Sequence, residues 1–466
     1  MRLKTLSLSV LFLFLAGCAS LAPDYSRPAP PVPAAWPTDT PNNVGTADAA
    51  ALSWQEFFAD PQLRELITRA LEQNRDLRIA LLNIERAGAQ YRIRRADQLP
   101  SIDASASGSA RRIPVDLSAT GKAQTVHQYA VGLGVTSWEL DLFGRVRSLK
   151  QQALDQYLAT EQARRSVQIS LVAQIASTWL TLAADNERLQ LARETLSNQE
   201  EAFNLIESRF HSGVSSALDR EQARTSVEAA RVDIARYTSL VAQDRNALQL
   251  LVGEPLPNDL APHQLAPRLS QQPPLKPGLP SEVLLQRPDI LQAENELKGA
   301  NANIGAARAA FFPRISLVST IGSGSDQLSG LFQDGSLSWN FSSGVTLPIF
   351  NYGRNRAGLK VAQVDRDLAV AHYEKAIQTA FREVADALAR RQTIDQQLTA
   401  QQALTDATAE SYRLSQARYQ EGVDSYLNVL DSQRTFYAAR QNLINTRLAR
   451  LVNRVELYQV LGGGSR

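Results

Sequence analysis

Apolar and polar residues alternate one by one in four short stretches of the chain. In residues 101–110, isoleucine, alanine and glycine occupy one set of positions, and serine and aspartate occupy the other. A period of two predicts a strand with one apolar face and one polar face. The corresponding positions of the other three stretches are Tyr129, Val131, Leu133 and Val135; Ile315, Leu317, Ser319 and Ile321; and Trp339, Phe341, Val345 and Leu347. The pattern predicts two β-hairpins, over residues 101–140 and 314–350.

Each predicted strand is about ten residues long, which suits a tilted strand of a membrane barrel. A soluble surface hairpin is the alternative. Four strands cannot close a barrel, because about eight is the practical minimum. An open sheet edge in lipid would leave backbone groups unpaired, at several kcal/mol each. If the strands enter a membrane, several copies of the chain must share one barrel, and three copies would supply twelve strands.

The rest of the chain is predominantly helical in pattern. Apolar residues recur at spacings of 3, 4, 3 and 7 in one stretch and of 4, 3 and 4 in another, a pattern typical of packed helices. We call each of these sets of apolar residues a seam. The two seams are Val172, Ile175, Trp179, Leu182 and Leu189; and Ile377, Phe381, Val384 and Leu388. Abundant alanine would let such helices approach closely around a lumen. A solid coiled coil is the alternative.

Two long helical stretches are each interrupted once. Between Arg145 and Val252 the sole glycine is Gly213, and between Leu359 and Leu461 it is Gly422; neither stretch contains proline. Glycine marks turns, and each of the two is followed by valine. An isolated glycine within a continuous helix is the alternative. The matching positions favour two long α-hairpins with tips at residues 213 and 422.

The two halves of the chain repeat at an offset of 209 residues. The offset relates Gly213-Val214 to Gly422-Val423, and Gly144-Arg145 to Gly353-Arg354. An internal repeat of this kind predicts the architecture directly. The first structural repeat covers residues 60–254 and the second 281–466, each with helix, β-hairpin, long helix, tip and shorter helix. A proline-rich linker, 255–280, joins them. The long helix from residue 147 to 209 would measure about 95 Å.

The N-terminus has the form of a lipoprotein signal peptide. Basic residues precede an apolar run that is too short to span a bilayer, and Leu15-Ala16-Gly17-Cys18 follows. This run resembles a bacterial lipobox, in which residues 1–17 are removed and Cys18 is acylated. An ordinary signal peptide is the alternative. Ala19 in the next position implies sorting to the outer membrane, and residues 18–59 form an acylated, proline-rich tether.

Composition argues against several other functions. The chain has 49 basic and 47 acidic residues, so nothing indicates a nucleic-acid partner. Its four histidines are far apart in sequence and Cys18 is the sole cysteine, so we find no catalytic constellation and no metal-ligand spacing. The sequence contains no phosphate-binding loop of the Walker type. We expect no cofactor, no bound metal and no enzymatic activity.

Three motifs carry a family resemblance. They are the segments from Trp138 to Arg145, from Leu347 to Arg354, and from Gly422 to Asp431. Together with the lipobox they resemble the outer-membrane efflux factors of the NodT/OprM branch of the TolC-like family, over nearly the whole mature chain. The resemblance implies a mainly α-helical homotrimer with a twelve-stranded transmembrane barrel, four strands per chain, and a long helical periplasmic tunnel. It also implies a periplasmic membrane-fusion adapter and an inner-membrane resistance-nodulation-division (RND) transporter as partners, with outer-membrane lipid around the barrel.

One helical face at the second tip is a candidate gate. Its members are spaced 3, 4 and 3 residues apart and so share one side of a helix: Asp424, Leu427, Asp431 and Arg434. Around a symmetry axis, Leu427 and Asp431 would form an apolar ring beside an acidic ring, a known gating arrangement. A solvated helix face is the alternative.

The resemblance assigns further roles to residues at both tips. It implies that Leu427 and Asp431 form the closed periplasmic gate and that Tyr419 and Arg434 tie neighbouring helices. We expect the adapter to contact both tips, at Gly213, Val214, Ser215, Ser216, Gly422, Val423 and Ser425. The sequence thus favours a passive efflux duct with an iris-like gate. A duct for protein secretion driven by an ABC exporter, or a lipid-anchored coiled-coil scaffold without a pore, are the alternatives.

Overall fold

The computed structural model describes residues 20–37, 47–265 and 273–465. Cys18 and the expected signal peptide lie outside these residues. The helices in the described part are α1 (Trp54–Phe57), α2 (Pro61–Gln73), α3 (Arg75–Ala96), α4 (Arg145–His211), α5 (Ala217–Val252), α6 (Pro280–Leu284), α7 (Pro288–Ala309), α8 (Arg354–Gln420) and α9 (Tyr426–Val460). The strands are β1 (Asp103–Ile113), β2 (Gln124–Glu139), β3 (Arg314–Ser325) and β4 (Leu337–Thr346).

The chain divides into two compact units. The sheet unit contains residues up to Ala29 together with 83–161 and 292–373. The helical unit contains 30–82, 162–291 and 374–466. The sheet unit therefore holds all four strands, and the helical unit holds both hairpin tips.

The repeat is visible in the lengths of the helices. Helices α4 and α8 have 67 residues each and begin at Arg145 and Arg354, positions that are 209 residues apart. Helices α5 and α9 have 36 and 35 residues, and α3 and α7 have 22 each. The predicted pair of long α-hairpins is present, and the first long helix extends two residues beyond the predicted bounds of 147 and 209 at each end.

Helix boundaries follow from local capping. The Asp60 side chain accepts hydrogen bonds from the amides of Gln62 and Leu63, and Pro61 occupies the first position of α2. Asn74 ends α2, and its side-chain oxygen accepts the amide of Leu77 at 2.9 Å at the start of α3. Asn74 therefore ends one helix and caps the start of the next.

The four strands form one antiparallel sheet in the order β1-β2-β3-β4. The register places Leu133 opposite Ile321, and Ile321 opposite Trp339. Directly opposed residues share a face, so the apolar positions of the four strands lie on one side of the sheet. That side is exposed in the single chain, with Trp339 at 75% and Leu133 at 54%. The alternation predicted from the sequence is confirmed, and the outer edges of β1 and β4 pair with no other strand of the described chain.

The motif from Trp138 to Arg145 forms the junction between β2 and α4. The Arg145 guanidinium donates to both carboxylate oxygens of Glu139, at 2.8 and 2.6 Å, and Arg314 at the start of β3 donates to the same carboxylate at 2.6 Å. Asp141 accepts the amide of Arg147 at 2.8 Å, in the first turn of α4. The carboxylates of this motif thus hold the end of a strand, the start of a helix and a neighbouring strand together.

The core of the helical unit is built from the predicted seams. Ile175, Trp179 and Val384 are almost completely buried. The Trp179 indole donates to the carbonyl of Leu260 at 3.1 Å, within the linker of residues 255–280. Residues 255–265 of that linker therefore pack on α4, and Leu265 is buried as well.

Strand pairing in the sheet requires glycine at particular positions. A Cβ atom on Gly134 would lie 2.4 Å from the Ser319 carbonyl oxygen of β3, a distance that real Cβ atoms do not show. A Cβ on Gly324 would lie 3.8 Å from its nearest neighbour.

We therefore expect Gly134→Ala to reduce the yield of assembled protein, whereas Gly324→Ala leaves it unchanged. Gel electrophoresis without heating, which retains barrel assemblies, measures this yield; equal yields would contradict the β2–β3 register.

Candidate functional site

The two tips share one backbone geometry. Gly213 and Gly422 have φ values of 76° and 75°, in the left-handed region that favours glycine. The amide of Val214 donates to the Arg209 carbonyl, and the amide of Val423 to the Arg418 carbonyl, both at 2.9 Å. Within the described residues no atom lies within 4 Å of a Cβ placed on either glycine. Glycine is therefore required at both tips for its conformation and not for lack of space.

A capping box closes the first tip. The Ser216 hydroxyl accepts the Asp219 amide at 3.1 Å, and the Asp219 carboxylate accepts the Ser216 amide at 3.1 Å. Asp219 also accepts the Ser216 and Ser215 hydroxyls at 2.7 and 3.2 Å. The hydrogen bond from Ser216 lowers the pKa of Asp219. The start of α5 is thus capped by a reciprocal pair of side chains, Ser216 and Asp219.

An ion pair closes the second tip instead. Ser425 is the N-cap residue of α9, but its side chain makes no capping hydrogen bond in the described chain. Asn428 stands where the first tip has Asp219. The Arg418 guanidinium donates to the Asp424 carboxylate at 2.5 Å across the turn, and this hydrogen bond lowers the pKa of Asp424. The two tips therefore have the same backbone but different means of closure.

The tips are packed against each other through a small apolar core. It comprises Ile206 and Ala223 of the first hairpin with Tyr426, Val429 and Leu430 of the second. Burial raises the pKa of Tyr426 to about 12, so its hydroxyl stays neutral at physiological pH. Since these side chains come from α4, α5 and α9, the core joins the ends of both hairpins.

Tyr419 lies at the edge of this core and links the two long helices. Its hydroxyl accepts a hydrogen bond from the Arg209 guanidinium at 2.9 Å. The same guanidinium lies 5.4 Å from the centroid of the Tyr419 ring, within range of a cation–π interaction. The Tyr419 ring is also 5.4 Å from the ring of Tyr426. The candidate helix tie at Tyr419 is thus a contact between the last turns of α4 and α8.

The candidate gate face lies opposite the packed face of α9. Leu427 is 54% exposed, and Asp431 and Arg434 are exposed, whereas Val429 and Leu430 are buried. Within the described chain, Asp431 and Arg434 make no side-chain hydrogen bond or ion pair. The prediction that Asp424 shares this helical face is wrong, because Asp424 lies in the turn before Ser425, the N-cap of α9, and its carboxylate is held there by the ion pair with Arg418. One leucine and one acidic residue therefore remain free on this face to contact something beyond the chain.

The candidate adapter contacts fall into two groups. Val214 and Val423 are 72% and 63% exposed at the outermost turn of each hairpin. Gly213 and Gly422 set the turn geometry, Ser216 and Ser425 are N-cap residues, and Ser215 supports the first cap. The structure thus separates exposed apolar side chains from residues that shape the turn.

Polar contacts between the first hairpin and α9 were not foreseen from the sequence. Four of them cross between residues more than 200 positions apart: Asp233–Tyr437 at 2.9 Å, Glu194–Arg440 at 3.4 Å, Arg188–Asn445 at 2.5 Å and Glu187–Arg447 at 2.7 Å. Each partner is a charged or polar residue on a long helix. Such a residue is solvated by default, so its position in the sequence did not indicate the contact. The tip ion pair Arg418–Asp424 was also missed, although the turn at Gly422 could have indicated it.

The described residues contain no group of three or more histidine, cysteine or acidic side chains that could hold a metal ion. The candidate functional features are instead surfaces: the two exposed tips, the face of α9 with Leu427 and Asp431, and the exposed apolar side of the sheet.

The sequence pattern of the outer membrane efflux protein family matches residues 66–254 and 279–463, most of the chain. The chain belongs to this family. Among its relatives is the toluene efflux pump outer membrane protein TtgC of Pseudomonas putida, 50% identical over all of this chain and 96% of TtgC.

Solved structures agree with this family assignment. A membrane protein of Pseudomonas aeruginosa superposes with a TM-score of 0.89 and 45% identity, covering 96% of this chain and 98% of that protein. The outer membrane channel MtrE of Neisseria gonorrhoeae, in its open state, superposes with a TM-score of 0.86 and 39% identity, covering 96% and 99%. The fold is that of the TolC-like outer-membrane channels, and this family member serves efflux at the outer membrane.

The difference in capping between the tips can be measured. Removing an N-cap hydroxyl that accepts a backbone amide costs about 1 kcal/mol of helix stability. We expect Ser216→Ala to speed hydrogen exchange in the first turn of α5 by about fivefold, because 1 kcal/mol corresponds to about that factor. Ser425→Ala should leave exchange in the first turn of α9 unchanged, because that hydroxyl caps nothing. Equal effects at both tips, measured by mass spectrometry, would contradict this asymmetry.

Proposed function

We propose that three copies of this chain form a passive outer-membrane duct for small toxic compounds. The observation that carries the proposal is the four-stranded sheet with two unpaired edges and an exposed apolar face. In a bilayer every strand edge must be paired, so copies must join their sheets into one closed barrel. Three copies of four strands give twelve, and the long helical hairpins attached to the strands would form the periplasmic tunnel.

The gate of this duct is the face of α9 that carries Leu427 and Asp431. Rotational symmetry repeats each side chain once per copy, so these two exposed residues would become adjacent rings. An apolar ring narrows the passage, and an acidic ring attracts cations and repels anions. Arg434 has no partner within the described chain and is free to bind a neighbouring copy. The proposed arrangement is closed in the resting state.

Opening would follow from contacts at the tips. We expect the periplasmic adapter to dock on the exposed valines, Val214 and Val423, and an inner-membrane RND transporter to supply the energy and the substrate. The relative TtgC is named a toluene efflux pump protein, which supports small apolar compounds as the substrates of this duct as well.

Interhelical contacts at Tyr419 and Arg434 would hold the second hairpin inward until the adapter is bound. Acylation at Cys18, outside the described residues, would anchor each copy to the outer membrane.

Removing the proposed acidic ring should open the duct. We expect Asp431→Ala to raise the single-channel conductance in planar bilayers, because alanine is smaller and widens the constriction. Asp431→Asn retains the size of the side chain, so it should reduce cation selectivity with a smaller change in conductance.

The control for this experiment is Asp406→Ala, which removes an exposed carboxylate from α8 instead. It should leave conductance at the wild-type value. If both alanine variants conduct as the wild type does, the gate is not at Asp431. If the folded wild-type protein and the variants all fail to conduct, the proposal that this protein forms a duct is wrong.

A charge at the tips should uncouple the duct from its adapter. We expect Val214→Asp combined with Val423→Asp to abolish dye efflux from cells that depend on this protein, because burying an unpaired carboxylate in a contact is unfavourable. Assembly should persist, since both valines are exposed at the end of the hairpins. The control is Leu205→Asp, an apolar position within α4 that is 58% exposed. Wild-type efflux in the double variant would place the docking surface elsewhere.

A further inference from the structure

The two β-hairpins of the sheet end in turns of opposite charge. The end of the first, residues 111–127, contains one aspartate against three basic residues, Arg111, Arg112 and Lys122. The end of the second, residues 325–337, contains two aspartates and no basic residue. The positive charge is therefore a property of the first hairpin alone and not of the internal repeat.

The strand register separates the two arginines onto opposite faces of the sheet. Arg112 on β1 is opposite Thr125 on β2, and Ala110 is opposite His127. Directly opposed residues share a face and successive residues alternate, so Arg112 and His127 lie on the apolar side of the sheet, whereas Arg111 lies on the polar side. Arg112 and His127 are diagonal neighbours on that side, about 7 Å apart.

The Arg112 and His127 side chains are open to a ligand. Both residues are exposed, and neither side chain makes a hydrogen bond or an ion pair within the described residues. The His127 ring lies parallel to the ring of Tyr129, the next residue on the same face, with 6.5 Å between centroids and 4° between planes. The stacking orients the imidazole, while its nitrogen atoms and the guanidinium donors can bind a group outside the chain.

Arg112 stands at one limit of the apolar face. Ile102 and Arg112 lie on the same side of the sheet and are ten residues apart. Ten residues of strand span about 33 Å. The usual tilt of barrel strands reduces this length to about 25 Å of height, which is the height of the apolar band of a membrane barrel. A guanidinium at this position reaches the level of the lipid headgroups.

The location of this end of the sheet indicates the class of ligand. The strands are joined to α3 and α4 at the opposite end, so if the helices lie in the periplasm, the turn after Arg112 faces the exterior. The outer leaflet of a bacterial outer membrane is built from phosphorylated glycolipids. A guanidinium binds phosphate through paired, charge-assisted hydrogen bonds, and basic clusters beside an apolar membrane surface bind anionic headgroups. A free phosphate ion would make no use of the apolar face that adjoins Arg112, whereas acyl chains would lie along it.

We propose that Arg112 and His127 bind the phosphate of an outer-leaflet glycolipid, whose acyl chains lie along the exposed apolar face of β1 and β2. Lys122, exposed in the adjoining turn, adds to the positive potential there. Arg111 takes no part, because it lies on the other face. This inference rests on the proposed function, since it requires the sheet to lie in the outer membrane. It assigns a bound lipid to one of the two hairpins.

The test counts the lipid A molecules that stay bound to the full-length, assembled protein, by native mass spectrometry after release from nanodiscs that contain lipid A. We expect Arg112→Gln to lower the bound fraction about fivefold, the effect of one basic residue at an anionic lipid surface. The matched control is Arg111→Gln, which removes the same charge from the adjacent residue on the opposite face. It should leave the bound fraction unchanged. His127→Phe retains a ring that can stack on Tyr129 but removes the nitrogen atoms, so it should lower the fraction less than Arg112→Gln does.

Two further measurements identify the chemistry of the ligand. Lipid A without its phosphates should bind the wild-type protein as weakly as phosphorylated lipid A binds Arg112→Gln. An excess of inorganic phosphate should not displace lipid A from the wild-type protein. Equal binding of the two lipids, or displacement by inorganic phosphate, would overturn the assignment of the site to a phosphorylated lipid.

Other outcomes would contradict the site itself. Equal losses in Arg112→Gln and Arg111→Gln would show an effect of net charge and not of a site on one face. A lower yield of oligomer in both Arg112→Gln and Asp334→Asn, on gels run without heating, would assign Arg112 to a contact between copies instead.

Conductance separates this inference from the proposed function. Unchanged lipid A binding in Arg112→Gln, with normal conductance of the wild-type protein, would overturn the lipid site alone. Folded wild-type protein that neither conducts nor retains lipid A would overturn both the duct and the lipid site.

Discussion

Backbone hydrogen bonding in a membrane is the constraint on which this structure depends. The sheet has four strands, its outer edges are unpaired in the single chain, and its apolar face is exposed. Hydrocarbon offers no partner for an edge amide or carbonyl, so the sheet is incomplete until other copies supply one. Every exposed side chain must then be considered as one member of a symmetric set. A single free carboxylate such as Asp431 is ordinary on a helix, but in the trimer that we propose it would be repeated around the axis as a charged ring.

The sequence predicted those parts of the fold that follow from local periodicity. Strict alternation identified the four strands, because successive side chains of a strand must point to opposite faces. Gly213 and Gly422 identified the tips, because a left-handed residue is needed to end a helix in this kind of turn. The 209-residue offset anticipated that α4 and α8 would have the same length, which they do.

Long-range polar pairs could not be predicted from the same signals. Tyr25 and Glu294 are 269 residues apart, and neither residue is unusual in its local sequence. A glutamate on a helix is solvated by default, whereas Glu294 is buried where Tyr25 and Arg27, distant in sequence, bind its carboxylate. The candidate site shows the same limit. The residue spacing predicted that Asp424 and Asp431 share a helical face, yet Asp424 lies in the turn before α9, where Arg418 binds its carboxylate, so the two carboxylates have different environments.

The difference in capping between the two tips bears on which hairpin would move if the proposed gate opens. The first tip is closed by a reciprocal capping box, whose hydrogen bonds are local and depend little on salt. The second tip lacks a side-chain cap on α9 and is closed by an exposed ion pair, an interaction that water and salt weaken. Loosening the second tip therefore costs less than loosening the first. The Arg209–Tyr419 contact joins the two at their ends, so the better-capped hairpin would serve as the fixed support against which the other turns.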